Sequence, residues 1–270
     1  LSTETPAPGT AVAVLGLGEA GGRYAADLLA AGVPVVGFDP AYPPGSGGAS
    51  AAGPRLAGSA ADAVRAAAVV LSLNSASVAE RVARDAVPGL RDGTVYADLN
   101  TGSPRLKQRI ADVVAPTGAL FADVAVLAPV PRHGLRTPLA AAGPGRAGLA
   151  AFLGGLDVPV DDAGAEPGAA AARKLLRSVF MKGLAAVVLE SLEAAAGAGQ
   201  EDWLREQIVA ELTAADGALV DRLVDGTRLH AARRLHEMRD VAEFLAELGT
   251  SAPLTSAVAV RLAELAGEPR

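Results

Sequence analysis

Cysteine is absent from the 270-residue chain, which excludes disulfides, thiolate nucleophiles and cysteine–zinc sites. Histidine is scarce: His133, His230 and His236 stand far apart, without the short spacing that metal ligation uses. Aromatic residues make up only 3% of the chain, while Ala and Gly dominate it. Small residues let helices approach a sheet closely, so tight α/β packing is expected. Positive charge is neither abundant nor clustered: the net charge is −6 and the Lys and Arg are scattered, which argues against a nucleic-acid partner. No apolar run is long enough to span a bilayer. Residues 1–9 are polar and Pro-containing, with no basic or apolar leader pattern, and read as a flexible tail rather than a signal peptide. Half the residues are hydrophobic and a fifth charged, a globular balance for one or two domains. A cytoplasmic enzyme is the expectation.

What is present is an alternation of short apolar runs and helical segments. Ala11–Leu15 and Val33–Phe38 read as buried strands around a helix over Ala20–Ala31, which Gly32 stops. Pro40–Pro54 reads as a loop, being rich in Pro, Gly and Ser. Strands are expected at Ala68–Leu73, Thr94–Asp98 and Ala119–Val126, with weaker ones near Leu139–Ala142 and Val158–Val160. Helices are expected between them: one capped by Ser59, one over Ser77–Ala86, and one from Ser103 with Pro104 in its first turn. This order predicts a Rossmann-type, doubly wound parallel sheet over 10–164. The texture changes after Gly164. Residues 165–270 read as an all-α domain, with one long helix over Ala169–Ala196, two more over Trp203–Leu223 and Arg228–Leu248, and a last over Ser256–Leu265. Trp203 and Met238 are expected in its core.

Gly16-Leu17-Gly18-Glu19-Ala20-Gly21 fits G-x-G-x-x-G, and it follows a predicted strand and opens a predicted helix. Each glycine has a physical task. Gly16 permits the tight turn, Gly18 lets the backbone approach a pyrophosphate, and Gly21 lets the helix pack on the strand. The helix N-terminus offers free N–H groups to phosphate. Asp39 ends the next strand, about twenty residues on, where a carboxylate accepts hydrogen bonds from ribose hydroxyls and repels a 2′-phosphate. No Lys or Arg follows before Arg55. NAD is therefore the expected cofactor, with NADP the alternative.

The segment from Ala169 to Leu189 is apolar on nearly every side, which normally marks a buried helix. Lys174, Ser178 and Lys182 fall at i, i+4 and i+8 and so line one face. Two readings stand level on pattern alone. A buried lysine has its pKa lowered toward the range of a general acid–base; a solvated stripe of lysines simply packs its stems. His236 is balanced in the same way between substrate contact and surface salt bridge. His133 reads as structural or exposed, and Arg228, Arg233, Arg234 and Arg239 as a solvated helix face.

These motifs together resemble the β-hydroxyacid dehydrogenase and 6-phosphogluconate dehydrogenase superfamily. The opening glycine signature is similar, with Ala20 where Met is usual. Leu71-Ser72-Leu73-Asn74 resembles the segment after the fourth strand, where Asn74 borders the cofactor. Asp98-Leu99-Asn100-Thr101-Gly102-Ser103-Pro104 resembles D-x-S-T-x-x-P, whose hydroxyl and backbone groups, here Thr101 and Gly102, lie near nicotinamide and substrate. Gly168–Lys174 resembles the G-x-G-x-x-x-K segment that carries a catalytic lysine. Phe180-Met181-Lys182-Gly183 and His236-Glu237-Met238-Arg239 are similar to a poorly characterised branch with its own C-terminal domain. Three positions depart from the pattern. Asp123-Val124-Ala125-Val126-Leu127-Ala128-Pro129 lacks the Ser-Gly-Gly that holds a substrate carboxylate, Ser178 replaces an Asn, and His236-Glu237 replaces a Lys-Asp pair.

The resemblance implies hydride transfer between nicotinamide and a small hydroxy or carbonyl substrate. In that reading Lys174 and Ser178 are catalytic, and Gly16, Gly18, Glu19, Ala20, Gly21, Asp39, Asn74 and Thr101 bind cofactor. Thr101, Gly102, Lys182 and His236 meet the substrate, and the helical domain builds a homodimer. Two alternatives follow from the departures: an imine reductase, and a non-catalytic dinucleotide-binding sensor or scaffold.

Overall fold

A computed structural model describes residues 11–42 and 53–267. The expected tail at 1–9 and most of the 40–54 loop lie outside the described residues. The chain divides into two compact units, Leu1–Arg177 and Ser178–Arg270.

The first unit is built in chain order from β1 (Ala11–Leu15), α1 (Glu19–Ala30), β2 (Val35–Phe38), β3 (Arg55–Leu56), α2 (Ala60–Val64), β4 (Ala67–Ser72), α3 (Ala76–Ala86), β5 (Val95–Asp98), α4 (Pro104–Val114), β6 (Leu120–Val126), α5 (Val130–His133), β7 (Leu139–Ala142), α6 (Arg146–Gly154) and β8 (Val160–Gly164). Among the described residues the strands form one eight-stranded sheet in the order β3-β2-β1-β4-β5-β6-β7-β8. Alternate residues of each strand face opposite layers. Val12, Val14, Val69, Leu71 and Val124 pack under α1 and α6, with Tyr24, Leu28, Leu149 and Leu153. Ala13, Leu15, Val70, Tyr96 and Phe121 pack under α2, α3 and α4, with Val64, Ala83, Ile110 and Val114. Apolar runs buried on both faces are what parallel strands between two helical layers require. Alanine supplies a large share of the second layer, including Ala13, Ala60, Ala63, Ala79, Ala83 and Ala86, whereas the first is mostly Val and Leu.

One pairing departs from the expected parallel sheet: β7 runs antiparallel to β6, and β8 is again parallel to β7. A parallel return needs a crossover of a dozen or more residues, usually a full helix. Residues 127–138 instead form the short α5 and a 3-10 turn, pinned to α1 where Asp27 Oδ2 accepts the Leu135 N–H at 2.8 Å. The last strand lies later than the expected Val158–Val160; Val158 is buried in the core and the pairing starts at Val160.

The long helix α7 spans Ala169–Gly197, as expected. Its apolar surface is not buried as predicted: Leu176, Val179 and Phe180 are 72%, 75% and 65% exposed. Periodicity reports that a face is apolar, and the described residues leave this one open. The second unit continues with α8 (Glu201–Thr213), α9 (Gly217–Leu229), α10 (Ala231–Glu247) and α11 (Pro253–Ala266). The single helix expected over Trp203–Leu223 is therefore two. Asp216 starts the second by accepting the Leu219 N–H at 3.0 Å, an N-cap. The helix expected from Arg228 begins at Ala231, because His230, at φ −114°, leaves the helical region. Trp203 is 58% exposed rather than core, and Met238 is half-buried. Leu235, Leu245 and Leu262 are buried on α10 and α11. Glu190 of α7 caps α11, accepting the N–H groups of Leu254 and Thr255, each at 2.8 Å.

Candidate active site

The glycine turn is as tight as its sequence demands. Gly16 has φ +97°, a conformation that L side chains avoid, and a Cβ there would strike the Leu73 carbonyl oxygen. A Cβ on Gly21 would strike the carbonyl oxygen of Gly16. Gly18 differs: a Cβ on it would meet nothing within 4 Å among the described residues. Gly18 is also the N-cap of α1, a residue with no side chain to cap that helix end. The first-turn amides, including those of exposed Glu19 and half-buried Ala20, thus begin a 12-residue helix at an open face. Asp39 closes the turn from the next strand. Its Oδ2 accepts the Leu17 N–H at 2.7 Å and its Oδ1 the Ala41 N–H at 2.9 Å.

A row of the sheet carries the next groups. Leu15, Ser72, Asp98 and Asp123 are register partners across β1, β4, β5 and β6. Ser72, Asp98 and Asp123 are buried polar residues at the carboxyl side of a parallel sheet, where open α/β folds bind ligands. Asn74 donates its Nδ2 to Leu15 O at 3.3 Å and to Ser72 Oγ at 3.0 Å, and its N–H to Asn100 Oδ1 at 2.6 Å. Asn100 donates its Nδ2 to Ser72 Oγ and Asp98 Oδ1. Asn74 Oδ1 is buried and accepts no hydrogen bond from the described residues.

Lys107, 1% exposed on α4, reaches into this row. Its Nζ donates to Asp98 O at 2.8 Å and Asp98 Oδ2 at 2.7 Å, and lies 3.5 Å from Asp123 Oδ1. Burial pushes the Asp98 carboxyl above its ordinary range, although the Lys107 ammonium and the Asn100 amide pull the other way. The second oxygen of Asp123 accepts the N–H groups of Gly168 and Ala171, each at 3.0 Å. A side chain of β6 therefore caps α7. Five residues past its first residue, half-buried Lys174 donates from Nζ to Thr101 Oγ1 at 2.9 Å. Thr101 and Gly102 lie three and four residues past the end of β5, and Ser103 caps α4 by accepting the Leu106 N–H.

The first unit thus brings together Gly16, Gly18, Gly21, Glu19, Ala20, Asp39, Asn74, Thr101, Gly102 and Lys174. Ser178, Lys182 and His236 belong to the second unit: Ser178 is half-buried, and Lys182 and His236 are exposed. His133 is exposed at the end of α5. Sequence reasoning missed Lys107, Asn100 and Ser72. Lys107 had a signal, since it sits beside Leu106 on the apolar stripe that continues through Ile110 and Val114.

The residues fit a dinucleotide. The uncapped helix N-terminus at Gly18 presents N–H groups of the kind that suit phosphate, the Asp39 carboxylate keeps lone pairs for hydroxyl donors, and Asn74 Oδ1 is a buried acceptor with no donor among the described residues. Fold and site together define a dinucleotide-binding α/β protein with an appended helical unit. Residues 11–129 match the NAD binding domain of 6-phosphogluconate dehydrogenase, and residues 195–265 match a domain of unknown function. A probable 3-hydroxyisobutyrate dehydrogenase from Mycobacterium bovis is 36% identical over 118 residues, which is 43% of this chain and 40% of that protein. The chain's match thus spans about 40% of the length of such curated relatives. A conserved hypothetical protein from Sinorhizobium meliloti 1021 is 30% identical, with a TM-score of 0.65 and coverage of 94% of this chain and 87% of that one. An imine reductase variant from Myxococcus stipitatus, in complex with NAD+, shares the fold at a TM-score of 0.82 and 18% identity, over 96% of this chain and 94% of that one. The chain belongs to the 6-phosphogluconate dehydrogenase and β-hydroxyacid dehydrogenase superfamily, in a branch with its own helical C-terminal domain. Among the described residues no helix is long and apolar enough to cross a membrane, and no group of His, Asp or Glu is arranged to hold a metal.

Proposed function

We propose that the protein is an NAD(P)-dependent oxidoreductase acting on a small hydroxy or carbonyl compound, with Lys174 as its proton-transfer group. The observation that carries this reading is the Lys174 Nζ to Thr101 Oγ1 hydrogen bond at 2.9 Å, made where β5 ends and beside the glycine turn's strand row. When bound, the nicotinamide supplies hydride transfer to or from the substrate carbon. Lys174 gives a proton to, or takes one from, the substrate oxygen, and Thr101 orients that oxygen. Ser178 shares this orienting role, four residues on along α7. Lys182 and His236 are offered as contacts for a polar substituent of the substrate. The Gly18 and Ala20 backbone holds the phosphates, and Asp39 accepts from the adenosine ribose, which favours NAD over NADP. The domain boundary is placed near residue 164, and the helical part, 165–270, forms a homodimer.

The end of β6 favours a second reading. Ala125-Val126-Leu127-Ala128-Pro129 offers no Ser-Gly-Gly for a carboxylate, so an imine is the alternative substrate class.

Calorimetric titration of NAD, NADH, NADP and NADPH into the wild type and Asp39→Ala tests the cofactor. NAD(H) should bind more tightly than NADP(H), and Asp39→Ala should lose that preference. Nicotinamide absorbance is then followed with 3-hydroxy acids, aldehydes and cyclic imines. Turnover of imines alone replaces the first reading by the second. Binding without turnover of any of these substrates leaves the dinucleotide-binding scaffold, and failure of all four nucleotides to bind removes enzyme and scaffold alike.

A further inference from the structure

We propose that Lys107 is a positioning residue, whose buried ammonium locks the Thr101 loop and the first turn of the Lys174 helix into one register. The proposal rests on the reading of Lys174 as the proton-transfer group.

Four links close a circuit. Lys107 Nζ holds both the carbonyl and the carboxylate of Asp98, which fixes the strand end three residues before Thr101. The same Nζ is ion-paired to Asp123 Oδ1, an oxygen that accepts no hydrogen bond from the described residues. Asp123 Oδ2 holds the N–H groups of Gly168 and Ala171, which fixes the origin of α7. Lys174 then returns to Thr101. A fifth contact reinforces the fourth: Gly168, at φ +101°, lies so close to Pro104 O that a Cβ would sit 2.9 Å away. Pro104 opens the helix that carries Lys107.

Residue 107 shares the buried face of α4 with Leu106, Ile110 and Val114, and its ammonium offsets two buried carboxylates, Asp98 at the end of β5 and Asp123 at the cap of α7. Buried ion pairs are weak stabilisers compared with well-packed apolar groups, and their best-attested use is to fix register. Lys174 lies within two helical turns of the cap, so a tilt of the first turn is carried directly to its Nζ.

Lys107→Met and Asp123→Asn, each in the full-length chain, test the device. Three readouts are independent of turnover: amide hydrogen exchange over residues 166–176, the 13C resonance of reductively methylated Lys174 (assigned with Lys174→Arg), and the NADH dissociation constant. The expected result is exchange at Gly168–Ala172 faster by about tenfold or more, a displaced Lys174 resonance, and a dissociation constant within about twofold of wild type. The rate should fall by about tenfold to hundredfold in kcat, the scale of a misplacement near 1 Å, with little change in KM and an altered pH profile. Unchanged exchange and an unmoved Lys174 resonance in a folded variant would overturn the proposal. If Lys107→Met does not fold, the milder Asp123→Asn decides the question through the same readouts. Lys174→Ala separates the two readings. If it keeps full turnover while the Lys107 and Asp123 variants still loosen α7, the lysine's catalytic role fails and the positional lock stands.

Discussion

Gly21 lies so close to Gly16 that a Cβ on the later residue would overlap the carbonyl oxygen of the earlier one. Among the described residues, a Cβ on Gly18, between them, would meet nothing within 4 Å. The three glycines of one motif therefore do different work, and substitution should separate them. Gly21→Ala forces backbone to move and should destabilise the free protein by about 1–3 kcal/mol, seen as a lower Tm without any ligand. Gly18→Val should leave the Tm of the free protein nearly unchanged and weaken dinucleotide binding by about tenfold or more. Equal damage to Tm from both would mean that Gly18 is structural too.

Lys174→Ala should lower kcat by about 10²- to 10⁴-fold, the range of general acid–base catalysis. Its NADH dissociation constant should stay within about twofold of wild type. Lys174→Arg keeps the charge but not the transferable proton and should recover little. A Lys174→Ala enzyme with unchanged kcat would return the lysine to the class of solvated side chains.

Glu190 links acidity to the second unit. Burial acts to raise its pKa, but the Leu254 and Thr255 donors together outweigh burial and hold the carboxyl below the ordinary glutamate range. A carboxyl with a depressed folded-state pKa contributes stability above its unfolded value and loses it as pH falls through the folded one. The cap on α11 should therefore weaken below the usual glutamate range. Thermal melts of wild type and Glu190→Gln at pH 7 and pH 4 check this. At pH 7 the variant should lose about 2 kcal/mol, as for hydrogen bonds to a charged group. The gap should narrow at pH 4; a constant gap would contradict the assignment.

Leu176, Val179 and Phe180 form an exposed apolar surface on α7, of the kind that marks an association site. Wild-type protein should sediment as a dimer, and Leu176→Glu with Phe180→Glu should sediment as a monomer. A monomeric wild type would end the dimer proposal.

The glycine turn and the strand–helix alternation were legible in the sequence because each is a local signal. Gly16 through Gly21 states its turn within six residues, and Asp39 arrives at a spacing set by one helix. Lys107, Asp98, Asp123 and Gly168 come together only when the sheet is wound, so no spacing rule joins them. The lone trace was a lysine in the apolar stripe of α4. The reversal of β7 was hidden because Leu139–Ala142 is equally apolar in either direction. The break before α9 did leave a mark: Asp216 precedes Gly217 as a cap precedes a helix, although no Pro enforces it. Apolar periodicity on α7 predicts a buried helix, whereas Leu176, Val179 and Phe180 are exposed among the described residues.

The alanine-rich layer under α2, α3 and α4 bears on temperature. The heat capacity of unfolding follows the apolar area newly wetted, and a buried alanine hides far less of it than a leucine. A domain whose helices sit close because their contact residues are small should show a lower heat-capacity increment per residue than the common ~12–15 cal/mol/K. Its stability curve should then be broad and shallow, holding nearly the same margin over a wide span of temperatures. The alanine positions of that layer should respond to mutation mostly through crowding, because a methyl group leaves little to excavate.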